Sequence, residues 1–152
     1  MSKIKTFKGM LPIGEQEKIH LSTNNGLIAY KINKFQILPK RPGTNSELIG
    51  QIFTTDQTGK IDDFVDFSDT NFLAAAYYKE GSGTAEGFQT KVVFDKETFN
   101  QDIFVYITNP AGGTDPCNFY IELEQFDIDI NTSTYHTLKN IRSITGPGFE
   151  FL

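Results

Sequence analysis

One cysteine, two histidines and no tryptophan in 152 residues exclude several kinds of chemistry at the outset. With Cys117 alone, neither an internal disulfide nor a cysteine-based zinc site can form. Its Pro116-Cys117-Asn118 setting, at the start of an alternating run, reads as a small buried filler rather than a nucleophile. Neither His20 nor His136 stands in a metalloprotease or nucleophile-elbow motif, so both read as packing or surface residues, and no enzyme is expected. No apolar run reaches the roughly 20 residues of a membrane helix. Met1–Lys8 also lacks the apolar segment of a secretory signal. The expectation is folding in a reducing cytoplasm, with no membrane partner.

An excess of positive charge is also missing. The net charge is −5, whereas a nucleic-acid binder concentrates Lys and Arg. Lys3, Lys5 and Lys8 alternate with Ile4 and Phe7, which suits an exposed edge strand guarded against unwanted pairing. Gly81-Ser82-Gly83-Thr84 lacks the Lys-Ser/Thr of a phosphate loop and reads as a flexible tip. Asp62, Asp63, Asp66 and Asp69 are spaced so that they could hold Ca²⁺. Without a D-x-D-x-D-G loop they read as a solvated acidic turn. No cofactor is expected.

What the chain does have is period-two alternation and phenylalanine, 14 of them beside 6 tyrosines. Broad rings suit the space between facing sheets, so a modest apolar fraction of 38% can still fill a core. In Cys117–Asn131 the apolar positions run Phe119, Ile121, Leu123, then slip phase to Phe126, Ile128, Ile130. Such a slip needs an extra residue, which predicts a bulge at Glu124-Gln125. A second slip falls at Asn33-Lys34, between Ile28, Tyr30, Ile32 and Phe35, Ile37. Asn24-Asn25-Gly26 predicts a tight hairpin before that strand. Glu47–Thr54, Phe72–Tyr78, Thr90–Phe94 and Ile103–Thr108 predict further strands, while Ile61–Phe67 stays ambiguous. Asn131 is read as the cap of a short helix whose face carries Tyr135, Leu138 and Ile141.

The fold class is therefore mainly β: an antiparallel β-sandwich or jelly-roll-like body of eight to ten strands with one short C-terminal helix. Residues 1–14 form an arm or edge strand, 15–130 the sandwich, 131–145 the helix and 146–152 an apolar tail. Phe149, Phe151 and Leu152, after Gly146-Pro147-Gly148, either fold back or dock on a neighbour. Tyr77, Tyr78 and Tyr106 could form an aromatic platform for sugars, or lie half-buried at sheet edges.

Two segments, Phe99-Asn100-Gln101-Asp102-Ile103-Phe104-Val105 and Asp115-Pro116-Cys117-Asn118-Phe119-Tyr120-Ile121-Glu122-Leu123-Glu124, resemble small virion-associated proteins of marine tailed phages, including cyanophages. Leu138-Lys139-Asn140-Ile141-Arg142 continues the resemblance, which covers the C-terminal third. It implies a multi-copy virion protein, a capsid decoration or cement protein whose partner is the major capsid protein or another virion subunit. Self-association, a neck or tail position, and a carbohydrate-binding sandwich for host attachment are the other readings. The residues expected to meet a partner are Lys3, Lys5 and Phe7 of the N-terminal strand, Asn109 and Pro110 of the Asn109–Pro116 loop, and Phe149, Phe151 and Leu152.

Overall fold

The computed structural model describes residues 3–23, 26–42, 46–80 and 88–136. Eight strands run in the order β1 (Lys3–Leu11), β2 (Gln16–Ile19), β3 (Ile28–Pro39), β4 (Ser46–Phe53), β5 (Phe72–Glu80), β6 (Phe88–Val93), β7 (Ile103–Thr108) and β8 (Cys117–Asp127). A short helix over 130–136 follows. All pairings are antiparallel, in a three-stranded sheet β1-β8-β3 and a five-stranded sheet β2-β7-β4-β5-β6. The chain is mainly β, as its alternation predicts.

The two sheets share one core. Phe35, Ile37, Phe119, Ile121 and Leu123 of the smaller sheet meet Leu48, Ile52, Ala74, Ala76, Val105 and Ile107 of the larger. Alanines in Phe72–Tyr78, equally good helix formers, are small residues under large ones. With Gly50 on the neighbouring strand, Ala74 and Ala76 leave room for β3 to settle closely over β5. The strands β1, β2, β3 and β4 cross repeatedly from one sheet to the other, as in a jelly roll. The division is three and five, however, because β6 pairs with β5 and does not join β3. Among the described residues the two sheets thus make a three-plus-five sandwich.

Several expectations need correction. The phase slip in β3 is real: its register with β8 shifts between Ile32 and Lys34. The bulge predicted at Glu124-Gln125 is not. Strand β8 keeps an unbroken register with β1 through Gln125, and with β3 from Glu124 to Asp127. The apparent slip in β8 marks its end. Asp129 accepts a 2.7 Å hydrogen bond from the Thr132 amide and so caps the helix, in place of Asn131. Ile130, expected inside, lies in the first helical turn and is exposed, as is Tyr135, while Phe126 and Ile128 are half-buried. Leu138, Ile141 and the tail lie outside the described residues.

The strands flanking the predicted Asn24-Asn25-Gly26 hairpin do not pair with each other, since β2 pairs with β7 and β3 with β8; Asn24 and Asn25 lie outside the described residues. Gly26 still needs its special backbone, with φ at +65°. A side chain there would also strike Ser133 Oγ at 2.7 Å. A second bulge, unread in the sequence, falls in β5. Ile52 pairs with Ala74 but Phe53 with Phe72, leaving Leu73 with no register partner on β4, although its carbonyl accepts from the Phe94 amide, and turning Phe72 onto the outer face.

Candidate functional site

Strand parity decides what β1 offers. Lys3, Lys5, Phe7, Gly9 and Leu11 point to the interior side; Ile4, Thr6, Lys8 and Met10 point outward. Phe7 packs against the main core, so it serves folding. The Lys5 ammonium stands 5.9 Å from the Tyr30 ring centroid, a cation–π approach at the sandwich rim. Lys3 and Lys5 are exposed on a strand that has β8 on one side only. Inward-turned charge on an edge strand discourages casual sheet extension.

Asn109 and Pro110 sit at the other end of the body from Lys3, near Pro39 and Pro116, whereas Lys3 pairs with Gln125. The Asn109 Oδ1 accepts from the Ala111 amide, and its carbonyl accepts from the Gly112 amide, which fixes the turn. Arg41, Asn109 and Asp115 line a small pocket of about 190 Å³, where Arg41 Nε stands 3.9 Å from Asp115 Oδ2. The structure does not bring the expected partner residues together. Phe149, Phe151 and Leu152 lie outside the described residues.

The tyrosine platform is dispersed. Tyr78 turns into the main core, with its hydroxyl donating to Glu80; Tyr77 turns outward and donates to Glu47. Tyr106 is buried on the opposite side of the larger sheet, beneath the loop over 54–71, where burial pushes its phenol up to about 12. The histidines are also apart in role. His20 is exposed, with Nδ1 3.4 Å from Asp102 Oδ1, while His136 is buried with Nε2 3.0 Å from Thr98 Oγ1. Asp102 receives the amides of Leu21 and Ser22 at 2.7 and 2.9 Å, and Lys18 Nζ at 3.3 Å. Burial alone would raise its pKa, but these donors outweigh that and hold it at about 2. Asp102 thereby ties the connection after β2 to the start of β7.

The features least visible in the sequence lie in the 54–71 loop. Its aspartates turn back on the loop itself. Asp56, Asp62, Asp66 and Asp69 each accept from the amide two residues on, at 2.7 to 3.1 Å. Among the described residues no three His, Cys, Asp or Glu side chains gather as a metal site. The loop folds over the outer face of the larger sheet. There Phe67 meets Phe72 and Phe94, and these join Phe53, Tyr106 and Ile61 in a second apolar cluster. Buried Gln51 donates from Nε2 to the Phe64 carbonyl at 2.9 Å and fastens the loop apex. The Phe64 side chain is left 80% exposed beside Val65, itself 44% exposed. An apolar pair set between Asp62-Asp63 and Asp66 was the available signal in the sequence.

The outer face of the smaller sheet carries a second apolar surface. Met10, Asn118 and Leu38 stand abreast across β1, β8 and β3, and Lys8, Tyr120 and Gln36 form the next row. Asn118 is short between two longer chains, so a groove of about 570 Å³ opens between Met10 and Leu38. Both of those residues are about half exposed. No helix among the described residues is long and apolar enough to cross a membrane. No protein-family model matches this sequence, and no curated protein matches it either.

Proposed function

We propose that this chain is a virion structural protein of a tailed phage, a capsid decoration protein that binds assembled capsid subunits. One observation carries the reading beside the sequence resemblance. The two-sheet body holds large apolar side chains in water on both broad faces, Ile4, Met10 and Leu38 on one, Phe64, Val65 and Phe67 on the other. Scattered exposed apolar residues are ordinary, but grouped ones on a rigid scaffold mark surfaces meant to be covered. A shell-clamping protein needs such area, and weak contacts multiplied over many copies suffice to hold it. The loop Asn109–Pro116 and the edge strand β1 supply further contact surface at one end and one side of the body. Quantitative mass spectrometry of purified virions tests the reading. A copy number comparable to that of the major shell subunit supports decoration. A few copies per particle would move the protein to the neck or tail, and its absence from particles would overturn the assignment.

A further inference from the structure

The exposed apex of the 54–71 loop and the groove on the smaller sheet lie on opposite broad faces. We propose that this chain associates head to tail with further copies of itself, Phe64 and Val65 of one copy seated in the Met10–Leu38 groove of the next. The two surfaces match in character. The knob is apolar, 80% exposed at Phe64, and its backbone is set by a part-buried hydrogen bond from Gln51, so little ordering is needed when it docks. The groove holds about 570 Å³, within the range of roughly 300–1,000 Å³ typical of binding pockets and ample for a phenyl ring with a neighbouring valine. Charge is complementary as well. Lys8 is the one charged residue lining the groove, while Asp62, Asp63 and Asp66 surround the knob. Because the knob stands on one face and the groove on the other, no copy can fill its own groove. The contact is thus heterologous, and it builds rings or stacks in place of a two-fold dimer.

The inference draws on the same two apolar faces as the virion assignment, but particle copy number and self-association are separate measurements, so the failure of one is distinguishable from the failure of the other. The test uses the full chain and two variants at exposed positions, Phe64→Ser and Met10→Lys, with circular dichroism to establish that each folds. In sedimentation velocity the wild-type mass rises with concentration past that of a dimer, and each substitution weakens association by about thirtyfold or more, as expected for loss of an aromatic anchor or its seat. Mixing the variants is decisive. The Phe64→Ser chain keeps its groove and the Met10→Lys chain keeps its knob, so the mixture forms a one-to-one pair and grows no further. A wild type that stays monomeric, a folded variant that associates normally, or a mixture that fails to pair would each overturn the proposal.

Discussion

A methyl group added at Gly50 would stand 2.9 Å from Phe35 Cζ and 3.1 Å from Ile37 Cγ2, both core side chains of the opposing sheet. Gly50→Ala should therefore cost about 1 to 3 kcal/mol in urea unfolding, and a further Phe35→Leu change should recover part of that loss by making room. Asp102 gives a pH signature. Its folded pKa of about 2 lies below the ordinary 3.8, so the stability it supplies is present above pH 4 and disappears as pH falls toward 2. Asp102→Ala should lower stability by about 2 kcal/mol at neutral pH and flatten the decline between pH 4 and pH 2, as followed by urea titrations across that range. Cys117 is fully buried, and burial pushes its thiol up to about 12. A thiol reagent such as DTNB should leave the native protein unmodified at neutral pH and label it on unfolding.

At the level of elements, legibility followed the reach of the interactions. The bulge near Asn33 was readable because the strand continues beyond it, so Phe35 and Ile37 record the new phase. The end of β8 resembles a bulge because the period also breaks where a strand ends, and Asp129 capping a helix leaves much the same trace as an inserted residue. Leu73 was illegible for the opposite reason: within F-L-A-A-A both its neighbours are apolar, so no phase can be assigned. The 54–71 loop reads as merely acidic, since Gln51, the buried residue that anchors it, is a polar side chain in the preceding strand, and hydropathy gives no sign of its burial. Gln51→Ala should leave the sheets intact but free the apex. Limited proteolysis within 61–69 should then run about fivefold faster, corresponding to about 1 kcal/mol of easier local opening.

For the whole molecule, composition and alternation were enough to reach two antiparallel sheets, but not their division. Whether β6 joins β3 or stays on β5 depends on the hairpin with β5 and on close packing beneath β3, neither of which leaves a mark in hydropathy. The expected partner residues are basic or apolar ones near the termini together with Asn109 and Pro110 of a turn-rich loop. Neither signal shows that Phe7 is used by the core, nor reveals surfaces assembled from three strands at once, such as Met10, Asn118 and Leu38. Most pairings join distant parts of the sequence, so refolding from urea should take milliseconds to seconds in stopped-flow fluorescence of the tyrosines, not microseconds.

The place of β8 between β1 and β3 also bears on how the protein is made. Lys3 pairs with Gln125 and Ile28 with Asp127, so both outer strands of that sheet emerge from the ribosome long before the one that joins them. While translation continues, Ile32, Phe35 and Ile37 have no sheet of their own to close over, and the nascent polypeptide must be shielded until Cys117–Asp127 arrives.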